Sequence, residues 1–290
     1  MPVLCGTAPR LSSPLTTLHD RMSLRSAMAH RNLLYLLSLK ELRTRYKKSI
    51  LGWVWSLLNP ISQMLIFTVI FLYVFVATPR AGDPSGLKNF PLYFLIGLLP
   101  WNFFAITVGT AMGSVQGGAG LIKKVTFPHE HLVFSVVVAQ FVTVLIETTI
   151  LLLALTLAGQ NPLPWIPVLL VIYVLWAIFT TGVALALSAA NVFFHDVQYL
   201  WGILSQVLFY ATPVLYFTAN LPAVTVGRAM KAIANYGPTG SFIVAFHNVL
   251  YDGRMPSTFR WGYLTALALI SFTLGVWIFE KLSPRFAEEM

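Results

Sequence analysis

Uncharged apolar runs recur from residue 53 to residue 279, with no polar stretch between them long enough to form a domain of its own. Of the 290 residues 57% are hydrophobic and 10% charged, whereas a soluble domain carries about 25% charged residues. One core surrounded by water cannot hide that much apolar surface. A hydrocarbon layer about 30 Å thick is crossed by roughly 20 helical residues rising about 1.5 Å each. Six segments fit that length: residues 53–77, 90–112, 132–158, 165–190, 197–217 and 261–279. The expectation is an all-α integral membrane protein with a leader over 1–30, an amphipathic interfacial helix over 31–52, a six-span domain over 53–281 and a tail over 282–290.

Charge suggests the orientation. The formal charge is +9, and nine of the nineteen Lys and Arg residues precede the first apolar run. There they suit an anionic membrane face rather than nucleic acid. Placing both termini in the cytoplasm puts thirteen of these cations inside and six outside, in line with the positive-inside bias. Trp53, Trp55, Trp101, Trp165 and Trp261 fall near the proposed span ends, where interfacial anchoring would put them. Residues 1–30 lack the apolar core of a secretory signal and read as a cytoplasmic leader. Cys5 is the only cysteine, which leaves no intrachain disulfide and no thiolate cluster for zinc or iron–sulfur. The apolar run from Gly240 to Tyr251 is half a span long, as in re-entrant or interfacial segments, and Pro238, Gly240 and Asp252-Gly253 punctuate it.

Ahead of the first span, Tyr35, Leu39, Leu42 and Tyr46 follow helical spacing and predict an apolar stripe. Lys40, Arg43, Arg45, Lys47 and Lys48 occupy the rest of the circumference. Topology-setting charge explains that pattern, and so does a substrate phosphate held at a cytoplasmic entrance; residue chemistry alone leaves both open. The run Leu42-Arg43-Thr44-Arg45-Tyr46-Lys47-Lys48-Ser49-Ile50-Leu51-Gly52-Trp53-Val54-Trp55, followed by Asn59-Pro60, closely resembles the start of the first span in ABC-2 type permeases that export O-antigen, teichoic acid and capsule. The resemblance implies a gate helix in which Arg43, Arg45, Tyr46, Lys47, Lys48 and Trp53 stand at the substrate entrance.

Gly120 to Glu130 form a short mixed loop that, standing alone, reads as an ordinary positive-inside connection. It resembles the loop by which these exporters dock on their ATPase, and this implies partner contacts at Lys123, Lys124, Phe127, Pro128 and Glu130. His129-Glu130-His131 does not make a metal site, because residues two apart do not share a helical face.

Within the spans, Glu147 lies near the middle of the third, where a carboxylate costs about 2.5 to 3.5 kcal/mol on insertion scales. With Gln140 and Thr143 it forms one polar stripe that should face protein or water. Helix-to-helix hydrogen bonding and a channel-lining role both fit. Gly109, Gly113 and Gly117 are spaced for close helix packing. Phe103, Phe104, Phe209, Tyr210, Tyr216, Phe217, Tyr236 and Phe242 are expected around an external mouth, where aromatic faces suit a sliding polysaccharide. Phe209-Tyr210-Ala211-Thr212-Pro213-Val214-Leu215-Tyr216 resembles the family's fifth-span exit motif, and Tyr236-Gly237-Pro238 resembles its external loop. The family's usual asparagine before that proline is Gly237 here, His247 stands where arginine is common, and His195 precedes Asp196 where arginine is frequent.

No phosphate-binding Gly-x-x-x-x-Gly-Lys-Ser/Thr motif occurs, nor a Gly-x-Ser-x-Gly elbow or a His-Glu-x-x-His helix. The resemblance therefore implies a transport subunit rather than an enzyme: a homodimer in the bacterial cell membrane that binds no cofactor itself and joins two ATPase subunits carrying ATP and Mg. Its cargo would be a polysaccharide on a polyprenyl diphosphate lipid, with a cell-wall galactan one candidate. Efflux of a small lipid or drug is the alternative, and a membrane enzyme of polyprenyl-phosphate metabolism is a more distant one.

Overall fold

The computed structural model describes residues 31–46, 52, 54–74, 80–118, 120, 128–218, 221, 222 and 224–289. Every regular element among them is helical. In chain order they are α1 (Arg31–Tyr46), α2 (Val54–Val69, continued by a π-turn over Ile70–Val74), α3 (Phe90–Gly117), α4 (Glu130–Leu157), α5 (Ile166–Phe193), α6 (Asp196–Ala211), α7 (Thr225–Tyr236), α8 (Pro238–His247, continued by a π-turn over Asn248–Asp252), α9 (Thr258–Leu282) and α10 (Phe286–Glu289). Among the described residues five helical stretches, built on α2, α3, α4, α5 and α9, are long and apolar enough to cross a membrane.

The predicted start of the second span coincides with a capped terminus. Asn89 Oδ1 accepts the Leu92 N–H at 3.2 Å, and Pro91 sits in the first turn, where its missing N–H costs nothing. The fifth predicted segment differs from its helix, because α6 stops at Ala211 after 16 residues. Pro213 follows, and the residue before a proline is pushed out of the helical region; Thr212 accordingly has φ −86° and ψ 139°. At about 1.5 Å per residue, α6 is roughly 24 Å long. Residues Thr212 to Leu215 instead make a buried turn.

α3 is the core of the bundle and lies between α4 and α5. Its buried Phe104 meets Trp176 and Phe179 of α5, with ring centroids 5.1 and 5.9 Å apart. Three hydrogen bonds join polar groups of the two helices, while Asn191 Oδ1 and Thr107 Oγ1 are buried without a partner among the described residues. Trp176 Nε1 donates to the Pro100 carbonyl at 2.8 Å, Gln116 Nε2 to the Asn191 carbonyl at 2.9 Å, and Asn191 Nδ2 to the Met112 carbonyl at 3.3 Å. Trp101, expected as an interfacial anchor, is buried in this interior, with its ring 5.7 Å from that of Phe209.

The closest helix pair is α5 with α9. A Cβ on Gly182 would lie 2.2 Å from the Ser271 carbonyl oxygen, and one on Gly275 would lie 2.1 Å from that of Gly182. Ser271 Oγ donates to the Phe179 carbonyl at 2.9 Å across the same seam. The glycines expected to mediate close packing behave differently. Cβ atoms on Gly113 and Gly117 would meet nothing within 4 Å, and one on Gly109 only the Trp201 indole at 3.7 Å. Within the subunit, helix approach depends on single glycines facing each other from two helices.

α1 lies against α4. Its buried face carries Leu37 and Ser38, whereas Tyr35, predicted on the apolar stripe, is 64% exposed. Leu39 and Leu42 are half-buried beside that face, so the contact with α4 is rotated from the predicted stripe. At the end of the chain α10 folds back. Phe286 is fully buried, with its ring 5.4 Å from Phe279, 6.2 Å from Phe193 and 6.1 Å from His129. One aromatic thus ties the predicted tail to the bundle beside the α3–α4 connection.

Candidate functional site

α2 leans on α3, barely touches α4, and leaves a cleft between the three helices. The cleft changes character along its length. One cavity of about 260 Å³ is lined by Trp55, Ser56 and Asn59 of α2, Asn102 and Phe103 of α3, and Gln140, Thr143 and Glu147 of α4. A second, of about 550 Å³, lies beyond Pro60 and Glu147, which line both, and its walls are Leu57, Ile61, Met64, Leu92, Leu95, Leu99, Ile150, Leu151 and their neighbours. A third, of about 210 Å³, adjoins the other end through Gln140 and is lined by Glu41, Leu42 and Thr44 of α1 with Thr110, Val136 and Ala139.

The face of α4 running from Val136 through Gln140, Thr143 and Glu147 to Leu151 is therefore one continuous wall. Successive members are three or four residues apart, which places them on one side of a helix. Gln140 is 7% exposed, Thr143 4% and Glu147 9%. Thr143 donates back to the Ala139 carbonyl at 3.1 Å, so its hydroxyl hydrogen is used inside the helix. The arrangement offers a polar chamber beside an apolar groove. Among the described residues no group of three His, Cys, Asp or Glu could hold a metal ion.

At the far end of the bundle, the Thr212–Leu215 turn and α8 pack on the start of α3. Tyr93 Oη donates to the carbonyls of Pro213, at 3.3 Å, and Tyr216, at 2.9 Å. The His247 ring stacks on Tyr93 with centroids 3.9 Å apart, and its Nε2 lies 3.0 Å from the Tyr93 carbonyl oxygen. Thr212 and Thr239 hydroxyls are paired at 2.9 Å. The loop before α3 is tied to the turn after α8: Tyr251 Oη donates to the Arg80 carbonyl at 2.7 Å, Ser85 N–H to the Asp252 carbonyl at 3.0 Å, and Asp83 N–H to the Asp252 carboxylate at 3.3 Å. Burial pushes the Asp252 carboxyl above its ordinary range, against the opposing pull of Asp83 N–H and of Arg254 and Arg80.

The family model described as ABC-2 type transporter matches residues 32–234. The chain belongs to that family. Relatives of this transporter include the O-antigen export system permease protein RfbA of Klebsiella pneumoniae, 30% identical over 261 residues, which make up 89% of this chain and 94% of the relative. Its counterpart in Myxococcus xanthus is 29% identical over 266 residues, 92% of this chain and 98% of the relative. The polysialic acid transport protein KpsM of Escherichia coli is 20% identical over 84% of this chain and 91% of the relative.

The residues singled out in the transporter's sequence fall into several places. Arg43 is exposed on α1. The side chains of Arg45 and Tyr46, and all of Lys47, Lys48 and Trp53, lie outside the described residues, as do Lys123, Lys124 and Phe127. Pro128 and Glu130 stand at the start of α4, where the Pro128 carbonyl accepts the His131 N–H at 3.1 Å. Phe103 and Glu147 meet in the polar chamber.

Phe104 and Phe242 are core residues instead, each within 6 Å of the Phe179 ring centroid. Phe103 and Phe104 lie at the end of the fourth turn of α3, roughly 20 Å from its first residue, so they do not share an end with Tyr236. Phe209 and Tyr210 sit edge to face at 5.4 Å near the end of α6. Tyr216 Oη donates to the Ala211 carbonyl at 2.8 Å, and Tyr236 is 62% exposed. Asn59, Asn102 and Ser56 complete the chamber and carried no distinctive sequence signal: each is a single polar residue in an apolar run. Asn59 and Ser56 lie three apart on α2, facing the stripe of α4, and a search for matched polar positions across neighbouring spans would have found them.

Proposed function

We propose that the chain is the permease subunit of an exporter that moves a polyprenyl-diphosphate-linked polysaccharide outward across the bacterial cell membrane, as a homodimer driven by two ATPase subunits. The observation that carries this is the mixed cleft between α2, α3 and α4. A polar chamber continuous with a long apolar groove suits a cargo with a sugar-phosphate head and a hydrocarbon tail. The names of the relatives, which export O-antigen and transport polysialic acid, supply the polysaccharide.

In this reading both termini are cytoplasmic and α6 with its buried turn completes the sixth span. α8 dips into the outer face as a re-entrant segment, held by α3, α5 and α9. α1 is the gate helix, and Arg43, Arg45, Lys47 and Lys48 receive the diphosphate. Tyr46 and Trp53 flank them. The connection carrying Lys123, Lys124, Phe127, Pro128 and Glu130 docks on the ATPase, which holds ATP and Mg. Phe103 and Glu147 line the route, and Phe209, Tyr210, Tyr216 and Tyr236 guide sugars at the exit.

Depletion of the chain followed by lipid extraction tests the proposal. A lipid-linked glycan should accumulate inside the cell. An unchanged lipid pool together with altered drug sensitivity would overturn the polysaccharide reading in favour of small-molecule efflux.

A further inference from the structure

A cavity of about 150 Å³ opens at the end of the bundle opposite α1, among Arg80 of the loop before α3, Arg254 of the turn after α8, and Arg260 of α9. Asn235, Asn248 and Asp252 also face it, and Tyr93, Phe217 and Tyr251 line its apolar part. It far exceeds the ~10–15 Å³ needed to hold one water molecule. Three guanidinium groups around it face one carboxylate. Asp252 is engaged by Arg254 at 3.5 Å, the one ion pair among the described residues, which leaves the cavity with a net positive lining.

The donors of these arginines are only partly used. Arg254 Nη2 donates to Asn248 Oδ1 at 3.2 Å and Arg260 Nη1 to the Asn235 carbonyl at 2.7 Å. Among the described residues no side-chain hydrogen bond or close ion pair engages the exposed Arg80 guanidinium, which acts on Asp252 only at longer range. A guanidinium carries five N–H groups, so most of those around the cavity are open to a ligand. The tyrosines cannot compete for it through their hydroxyls, because Tyr93 and Tyr251 both donate to backbone carbonyls. What remains around the cavity is three guanidinium groups and the aromatic rings. The network between residues 80–85 and 251–252 fixes Arg80 and Arg254 on one frame, so the cations need little ordering when an anion arrives.

The geometry points to an anion site that takes a phosphate or diphosphate group, with the adjoining sugar against Tyr93, Phe217 and Tyr251. Guanidinium forks match phosphate oxygens in pairs, and three separate forks offer more donors than the two oxygens of a carboxylate can accept. Phosphate chemistry could come from a lipid headgroup or from a soluble phosphorylated glycan. The lipid source rests on the export reading above, in which this end faces outward; the anion chemistry does not.

The test uses the full chain in phosphatidylcholine nanodiscs, titrated by calorimetry with inorganic pyrophosphate and, separately, loaded with a polyprenyl diphosphate and assayed by native mass spectrometry. Arg80→Gln with Arg254→Gln should weaken binding at least tenfold and leave the melting temperature unchanged. Arg228→Gln with Lys231→Gln, which remove two exposed cations of α7, should leave binding as it is. Binding of pyrophosphate marks soluble phosphate as sufficient, and binding of the lipid alone marks a headgroup site; either supports the assignment. Absence of both, equal loss in the α7 variant, or glucuronate binding as tightly as pyrophosphate would overturn it. Those failures would leave the depletion phenotype untouched, so they are distinguishable from failure of the export reading.

Discussion

Replacing Gly182 with alanine probes the closest approach in the bundle. The added Cβ would stand 2.2 Å from the Ser271 carbonyl oxygen and 2.5 Å from the Phe272 nitrogen. Ordinary carbon contacts lie at about 3.5–4.0 Å, so α5 and α9 would have to part by more than 1 Å. The obstacle is backbone on both sides, and no rotamer change relieves it. Separation would also stretch the Ser271–Phe179 hydrogen bond, now 2.9 Å. Overpacking of this kind costs roughly 1–3 kcal/mol, and loss of the seam's dispersion contacts places the expected effect at the upper end, about 3 kcal/mol. Unfolding in a detergent titration should show that loss. Gly113→Ala, at a position with open space around it, should stay within about 0.5 kcal/mol of the parent. Equal stability of Gly182→Ala and the parent would refute the argument that these two backbones touch.

Four further outcomes are expected. Phe286→Ala removes a fully buried ring and should cost about 3–5 kcal/mol if the subunit unfolds cooperatively, and limited proteolysis should then release the C-terminal segment. Tyr93→Phe leaves the Pro213 and Tyr216 carbonyls without their donor and should lower stability by about 1–3 kcal/mol, measured by thermal unfolding. Arg43→Gln, Arg45→Gln, Lys47→Gln and Lys48→Gln together should abolish export while membrane insertion, followed by fractionation, persists. Burial holds the His129 imidazole below its ordinary pKa, so the unfolded chain takes up its proton first on acidification. Stability should therefore decline as the pH falls below about 6.5, and the decline should be shallower in His129→Gln.

The helical class and the polar stripe of α4 were legible in the sequence for physical reasons. Long uncharged runs have no other stable form in hydrocarbon, and Gln140, Thr143 and Glu147 stand out because polar groups there are costly. The start of α3 was legible in the apolar run that begins at Phe90, and Asn89 and Pro91 mark the same point as its cap. Other features depend on a partner that one segment does not reveal. Gly182 and Gly275 lie 93 positions apart and carry no repeat, whereas Gly109, Gly113 and Gly117 repeat without meeting a neighbour in the subunit. The early end of α6 was written in Pro213, but apolarity running on to Phe217 masks it. α7 carries an apolar stripe of Val226, Met230 and Ile233 at helical spacing, but its 12 residues are too few to cross a membrane, so a search for full-length spans passes over it. The aromatics show the same limit, since a phenylalanine that packs a core and one that lines a passage look alike in sequence.

The unequal fixing of α2 and α3 has a mechanical consequence. Along their most apolar stretches, 72% of residues are buried for α3 and 6% for α2. A load applied at one end of the bundle would meet a stiff mast on one side and a compliant flap on the other. α3, α5 and α9 would move as one piece, while α2 could swing with little loss of packing. The cleft between them would then widen or narrow like the gap behind a sprung door, and its width would be set by whatever presses on the outer surface of α2.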